Sequence, residues 1–372
     1  MKVVIIVPTY NEKENIGRFI DALLDLFDKN PQYECHILIV DGNSPDGTAV
    51  VVRQKASQHP FVHLLMEKKK VGLGAAYIYG FKYAVKTFNP DVLVEMDADF
   101  QHNPSDVPRL LAEIGNGYDY VIGSRFINGG GIPQGWSFYR KFLSIGGNLF
   151  SKVILGITSV NDFTSGFKAA RVRGFVDKID LDSVLSGGFA YKIDLLYKMF
   201  KLGARIKEVP IKFGVRDRGD SKMEKSNFVD SLRVVLLLRL NENKSFFKFC
   251  IVGFVGLFVD AGLFNILRLT LMVSRLAALT SGFIAMLTTF VLNNYWSFGK
   301  RKIEGAVSKV IGFVMYIVLS AIPIVIRSKL VGIATHLLGD TFLVSNTAFF
   351  IGIVFGLVWN FTVYSKMIWR KK

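Results

Sequence analysis

The last third of the chain sets the tightest limits on what it can fold into. From Phe246 onward four apolar stretches run roughly Phe246–Leu267, Leu276–Phe298, Val307–Ile326 and Phe342–Val363, with short loops between them. Each is about twenty residues long, enough for a helix to cross the hydrocarbon core of a bilayer. Residues 1–240 read as an ordinary globular domain, so the 51% apolar content is concentrated in the tail. The net charge is +16. A basic balance points to nucleic acid, a membrane surface or an anionic substrate. No zinc-finger spacing and no RNA-binding signature occurs, which favours lipid headgroups and phosphorylated substrates over nucleic acid. The two cysteines, Cys35 and Cys250, fall on an expected strand and in an expected membrane helix, so no disulfide framework is implied. The opening "MKVVIIVPTYNE" is not expected to be a signal peptide, because its apolar run is a strand's length and Pro8 ends it.

The first half alternates two patterns. The runs "KVVIIVP", "CHILIVD", "FVHLLME", "DVLVEMD" and "YDYVIGS" are short, apolar and rich in β-branched residues. Between them, "EKENIGRFIDALLDLFD", "TAVVVRQKASQ", "GAAYIYGFKYAVKTF" and "DVPRLLAEIGN" have helical spacing. Near-continuous apolar strands alternating with helices predict an α/β domain with a mostly parallel sheet covered on both faces. The polar residues that follow each strand then gather at one edge, where open α/β sheets bind ligands.

The tail predicts a four-helix transmembrane domain. One side of the membrane would carry Lys244, Lys248, Lys300, Arg301, Lys302, Lys309, Lys366, Arg370, Lys371 and Lys372. The other side would carry only Arg268, Arg275, Arg327 and Lys329. The positive-inside rule puts both termini, and with them the globular domain, in the cytoplasm. "LNNYWSF" and "VWNFTVYSKMIW" close the second and fourth stretches with Asn followed by aromatics, which suggests a weak repeat of two hairpins. Asp260, inside the first stretch, is either a functional acid or a partner of Arg268. Asn227–Leu240 is too short and too charged at its ends to span. It is either an amphipathic helix at the bilayer interface or an ordinary docking helix. The expected division is residues 1–225, a linker with interfacial helices at 226–244, and a membrane domain at 245–372.

The stretch "VLVEMDADFQHNP" (Val92–Pro104) carries the densest chemistry. A buried strand ends there in Asp97, Asp99, Gln101 and His102. Past a strand end, two carboxylates one residue apart converge on a divalent cation, Mg²⁺ or Mn²⁺, that takes oxygen ligands and bridges to phosphates. "PTYNEKEN" (Pro8–Asn15), "VDGNSPDGT" (Val40–Thr48) and "KKKVGLGAAY" (Lys68–Tyr77) follow the first three strands. In the last, Gly72 and Gly74 open a helix, which fits close backbone approach to a nucleotide.

"PTYNE", "VDGNSPDGT", "KVGLGAAYIYGF", "MDADFQH" and "IGSRF", in this order, resemble the family-2, GT-A-type inverting glycosyltransferases. Within those the chain is similar to dolichol-phosphate mannose synthases and polyprenyl-phosphate glucosyltransferases over about residues 1–240. The tail is similar to the GtrA-like domain fused to some prokaryotic members, which implies an archaeal or bacterial cell membrane.

The resemblance implies roles residue by residue. Pro8, Tyr10, Glu12 and Gly72 would surround the nucleotide sugar, with Asp41 beside its base or ribose. Asp97 would face the sugar and diphosphate, while Asp99 and Gln101, with Asp97, would hold the metal. Arg125 would reach the phosphates. "WSFYRKFLS" offers Arg140 and Ser144 to a lipid-phosphate acceptor, and "NDFTSGFKAAR" matches a family motif at Asp162, Ser165, Gly166 and Phe167, with Ser165 near that acceptor. "VRDRGDSKM" supplies Arg216, Arg218, Ser221 and Lys222, a loop that would close over the donor. The implied partners are GDP-mannose or UDP-glucose, a polyprenyl or dolichyl phosphate, and the bilayer. No motif here bears on oligomeric state. One departure matters: many relatives carry a second acid directly after the first in the strand-two motif, and this chain has Gly42. That acid is one place where the base is read, so GDP and UDP both stay open.

The expected reaction is transfer of a hexose, mannose first, to a lipid monophosphate. A phosphate monoester has its second pKa near about 6 and is already ionised, so it needs positioning by Arg and Lys and no general base. A UDP-glucose-dependent enzyme is the alternative on the same fold. Two other classes compete: a lipid-linked sugar flippase with an accessory transferase domain, and a processive polysaccharide synthase. The Gln-x-x-Arg-Trp motif of the latter is absent.

Overall fold

The computed structural model describes residues 1–214, 225–270, 274–339 and 341–370. The chain divides into two compact units, Met1–Arg239 and Leu240–Lys372.

In the first unit the elements are β1 (Lys2–Thr9), α1 (Lys13–Asp28), β2 (Glu34–Asp41), α2 (Thr48–Gln58), β3 (Val62–Met66), α3 (Leu73–Phe88), β4 (Val92–Glu95), α4 (Val107–Gly115), β5 (Tyr120–Ser124), α5 (Phe138–Leu155), β6 (Lys168–Arg171), α6 (Tyr191–Lys201), β7 (Ile206–Pro210) and α7 (Lys225–Glu242). The seven strands lie in the order β3-β2-β1-β4-β6-β5-β7. β1 is parallel to β2 and β4, β2 to β3, and β5 to β7, while β6 runs antiparallel between β4 and β5. The mostly parallel sheet is as expected. β6 and β7 carry no strand signal of their own: "KAAR" holds two charges and two alanines, and "IKEVP" is a short edge strand.

Alternation along the strands builds a core on each face. Val3, Ile5 and Val7 join Ile37, Ile39, Phe19 and Leu110 in one. Val4 and Ile6 join Leu38, Val40, Tyr77 and Tyr191 in the other. Val234, Val235 and Leu238 of α7 are buried in that second core, so this face of the segment docks on the sheet domain. The strand order reverses at β1: β2 and β3 lie on one side and β4 on the other. In such folds the crevice at the carboxyl ends of the strands, beside the reversal, is the ligand site.

The second unit contains α8 (Lys244–Thr270), α9 (Ser274–Leu292), α10 (Ala306–Leu338) and α11 (Phe342–Val363). Among the described residues, Lys244–Leu267 and Ala306–Leu338 are long and apolar enough to cross a membrane. The two hairpins share a feature that the Asn-aromatic repeat foreshadows: α9 ends in a π-helical turn at Asn293–Ser297 and α11 in another at Tyr364–Ile368. Both turns feed one aromatic cluster, where Phe298 stacks on Trp369 at 4.6 Å and Trp369 Nε1 donates to Asn294 Oδ1 at 2.8 Å. Asp260 of α8 accepts a 2.5 Å hydrogen bond from Ser281 Oγ of α9, which satisfies one acid inside an apolar helix pair.

Candidate active site

A cleft of ≈ 590 Å³ opens at the carboxyl ends of β1, β2, β3 and β4, within the size range of small-molecule sites. Pro8, Tyr10, Glu12, Gly72, Asp97 and Asp99 line it. Three of its loops hold non-glycine residues in left-handed backbone: Asn11 (φ 56°), Asn43 (φ 60°) and Phe100 (φ 59°). A bulky residue such as Phe100 adopts this region only under local constraint, and such outliers gather at functional sites.

The carboxylates are held individually. Tyr77 donates to Asp97 Oδ1 at 3.0 Å, and the Gln101 backbone N–H donates to Asp99 Oδ1 at 3.1 Å. Gln101 does not line the cleft; its Nε2 donates to Gly214 O at 3.2 Å. The pair Asp97–Asp99 offers the hard oxygen donors that Mg²⁺ and Mn²⁺ take. No cluster of three His, Cys, Asp or Glu that would cage a metal occurs among the described residues. That donor set fits a cation shared with substrate phosphates and water, as Mg²⁺ is usually held.

Asp41 is fully buried and does not face the cleft. It organises the loop, accepting from Thr9 Oγ1 at 2.9 Å and from Ser44 N and Oγ at 2.9 and 2.7 Å. Gly72 lines the cleft, and close packing also requires a glycine there. A Cβ at Gly72 would lie 2.4 Å from Gly187 O, and one at Gly74 would lie 2.6 Å from Gly188 O. These glycines let α3 start against the backbone of the loop before α6.

Beside the cleft is a separate, helix-walled groove of ≈ 280 Å³. Arg125, Trp136, Tyr139, Arg140, Leu143 and Ser144 line it, with Phe228 and Leu232 of α7 opposite. Phe189 and Asn227 line both cavities, so cleft and groove adjoin. Ser137 caps α5, accepting from Arg140 N at 3.3 Å, and this turns Arg140, Ser144, Gly147 and Ser151 to the groove at i, i+4, i+7 and i+11. The Arg140 guanidinium stacks over Trp136 at 4.1 Å.

Residues 4–176 match the family described as Glycosyl transferase family 2, and residues 248–369 match the GtrA/DPMS transmembrane domain. The undecaprenyl-phosphate mannosyltransferase of Micrococcus luteus is 41% identical over 223 residues, 60% of this chain and 88% of that protein. The polyprenol monophosphomannose synthase of Mycolicibacterium smegmatis is 39% identical over 232 residues, 62% of this chain and 84% of that one. The dolichol-phosphate mannosyltransferase of Pyrococcus furiosus is 35% identical over 305 residues, 80% of this chain and 81% of that one. The chain belongs to the family-2 glycosyltransferases. Its second unit is a GtrA/DPMS transmembrane domain.

In this glycosyltransferase, several residues expected at the site stand in other roles, and four lie outside the described residues. Arg125 lines the groove, but Asp162 holds it: Nε donates to Oδ2 at 2.8 Å, Nη2 to Oδ1 at 2.7 Å and to Thr164 Oγ1 at 2.8 Å. Asp162 is wholly buried, and although burial alone would raise its pKa, the Arg125 guanidinium holds it below the ordinary carboxylate value. Ser165 is buried away from the groove, its hydroxyl donating to Gly123 O at 2.6 Å; Thr164 is the neighbour that lines the groove. Arg216, Arg218, Ser221 and Lys222 lie outside the described residues. His102 is buried against Phe167, and burial pulls its pKa down to about 3.

Sequence reading missed Lys192. It is buried, with its ammonium 4.4 Å from the centre of the Phe189 ring that the two cavities share. A Cβ built on Gly166 would lie 2.5 Å from Lys192 Nζ and 3.0 Å from Asp97 Oδ2, so cation and acid crowd the same glycine. Burial lowers the Lys192 pKa, while Asp97 and Glu95 oppose that. No spacing rule links positions 97, 166 and 192; only the fold brings them together.

Proposed function

We propose that the chain is a membrane-bound inverting mannosyltransferase that moves mannose from GDP-mannose to a polyprenyl or dolichyl monophosphate. The observation that carries this reading is the adjacency of two unlike cavities. One is an acidic cleft at the strand ends. The other is an apolar groove headed by guanidinium groups, and it suits a phosphate with a hydrocarbon tail.

In this reading Asp99, Asp97 and the Gln101 carbonyl would hold Mg²⁺ or Mn²⁺. The bound cation neutralises charge that grows on the leaving group. Pro8, Tyr10 and Glu12 enclose the nucleoside. Arg140 fixes the acceptor phosphate, with Ser144 as a hydrogen-bond donor and the remaining Arg125 donors beside it. Arg suits this because its planar fork binds phosphate in a bidentate way. An acceptor phosphate oxygen bonds to the anomeric carbon from the face opposite the diphosphate. The bond from that carbon to the diphosphate oxygen breaks, and its electron pair leaves with GDP. The acceptor is ionised before it arrives, so no protein base takes a proton. Arg216, Arg218 and Lys222 are proposed to complete the phosphate site from their loop.

The outer face of α5 supports a bilayer next to the groove. Phe138, Phe142, Ile145, Leu149 and Val153 are all exposed, and they form one stripe on the helix side opposite Arg140 and Ser144. The GtrA/DPMS unit tethers the chain to the membrane. We propose that α9 and α11 cross it with α8 and α10 and that both termini are cytoplasmic.

Purified full-length protein in detergent tests the reading. Labelled GDP-mannose and UDP-glucose are offered in parallel with a polyprenyl phosphate, each with Mn²⁺, Mg²⁺ or EDTA. Label entering the organic phase from GDP-mannose, only with metal, is the expected result. Transfer from UDP-glucose alone, or from neither, contradicts it.

A further inference from the structure

One carboxylate in the donor cleft has no part in the mechanism above. Glu67 directly follows β3, is half-buried and lines the cleft. Its backbone N–H donates to Asp41 O at 2.9 Å, which pins it beside the end of β2. Among the described residues its side-chain oxygens have neither a hydrogen-bond nor an ion-pair partner. A partly buried carboxylate with no partner among the described residues keeps its acceptor oxygens for a ligand in the cleft. A Cβ built on Gly42 would stand 3.4 Å from Glu67 Oε2, 3.4 Å from Tyr10 Cδ2 and 3.5 Å from Lys70 Cβ. Glu67 therefore lies in ordinary van der Waals contact with the point where a Cβ at position 42 would stand. Burial, and then the nearby Asp41, push its carboxyl above the usual glutamate value.

Position within the cleft says what that donor is. Asp97 and Asp99 follow β4, and the order β3-β2-β1-β4 places Glu67 three strand spacings away. At 4.7–4.9 Å per spacing this is about 14 Å. A nucleoside diphosphate with its phosphates at the Asp97–Asp99 end would set its base beside Glu67, Gly42 and Tyr10. We infer that Glu67 reads the base of the donor nucleotide and selects guanine.

Guanine presents two adjacent donors, N1–H and the exocyclic N2–H, which match the two oxygens of one carboxylate. Uracil presents a single N3–H between two carbonyls, whose lone pairs oppose a carboxylate. Cytosine and adenine each pair an acceptor with their amino group. Glu67 thus does from β3 what a side chain at position 42 would do from β2, and Gly42 leaves it room.

The inference rests on the reading of this cleft as a nucleotide-sugar site, and direct binding separates the two. GDP and UDP are titrated by calorimetry into full-length wild-type protein, Glu67→Gln, and the double variant Gly42→Asp/Glu67→Gln, all with Mg²⁺. The wild type is expected to bind GDP at least about tenfold tighter than UDP. Glu67→Gln should weaken GDP by about 10- to 100-fold, the range for losing a charge-assisted pair, and leave UDP unchanged or tighter. Retained UDP binding shows that the variant is folded. The double variant returns a carboxylate from position 42, where a Cβ makes only ordinary contacts of 3.4 Å, and should regain most of the GDP preference, which a purely structural role for Glu67 would not produce. An unchanged GDP-to-UDP ratio in Glu67→Gln, or a wild type that prefers UDP, overturns the inference while the transferase reading stands. A wild type that binds neither nucleotide overturns both.

Discussion

The donor cleft and the acceptor groove adjoin at Phe189 and Asn227, yet they are built in opposite ways. The cleft is made of strand ends and tight loops, carries carboxylates, and tolerates left-handed backbone at Asn11, Asn43 and Phe100. The groove is made of helix faces, is apolar along its walls, and meets charge with guanidinium groups backed by a buried carboxylate. In the proposed reading both cavities face a phosphate, but the two phosphates differ. A nucleotide sugar arrives from water with its own need for a cation, which carboxylates can hold. A lipid phosphate arrives from a bilayer with an apolar tail, and fixed arginines set in apolar walls match it at both ends. The difference implies that the two cavities should fail separately under mutation.

The largest expected effect is on the cleft. Asp99→Ala should lower transfer from GDP-mannose by about 10²- to 10³-fold, the loss typical when a group stabilising charge in the transition state is removed. The acceptor KM should stay within about threefold, as measured by label transfer at varied lipid phosphate. An equal loss of acceptor affinity would break the separation.

Next is the support of the groove. Asp162→Asn strands the guanidinium of Arg125, and breaking a buried pair of this kind costs about 3–5 kcal/mol of stability. Thermal unfolding followed by circular dichroism should show the lower Tm. The pH dependence has a definite sign. The Asp162 carboxyl is held below its ordinary 3.8 in the folded state. A depressed carboxylate stabilises the fold above the unfolded-state value, and that share is lost as pH falls from there through the lower folded-state value. Wild-type Tm should therefore fall in this acid window by a component that Asp162→Asn lacks.

Arg140→Ala should reduce kcat/KM for the lipid phosphate by about 10- to 100-fold, the range for a charge-assisted hydrogen bond, with GDP affinity unchanged. Steady-state kinetics with each substrate varied, together with GDP calorimetry, reads both arms. A loss of GDP affinity here would argue that the two cavities are not functionally distinct.

The smallest and most diagnostic effect is at the junction. Lys192→Gln should lower kcat by about tenfold, since its ammonium packs on Phe189 and crowds Gly166 together with Asp97, and should move neither KM strongly. Lys192→Arg should recover part of the rate. A change confined to one KM would assign Lys192 to one cavity.

The cleft was far more legible in the sequence than the groove, for a physical reason. Buried parallel strands are continuous apolar runs, so β1 to β5 and the residues that follow them are visible locally, and Asp97, Asp99, Tyr10 and Glu12 come with them. β6 was not, since "KAAR" becomes a strand only because β4 and β5 flank it. Arg140 and Ser144 were reached only through family resemblance, and the Arg125–Asp162 pairing not at all, because its partners are far apart in the chain. Glu67 was hidden among three lysines, where it reads as a solvated charge run. Its relation to Gly42 is set by strand pairing between β2 and β3.

The most direct test of the central claim offers the purified enzyme two acceptors that share a tail and differ in the head. A polyprenyl monophosphate and the corresponding free polyprenol are each incubated with labelled GDP-mannose and Mg²⁺. An acceptor that needs positioning by Arg140 and no base should take label only as the monophosphate, and Arg140→Ala should lose that label. Label appearing on the free polyprenol at a comparable rate would contradict the account, since a hydroxyl acceptor requires a general base and has no phosphate for the groove to hold.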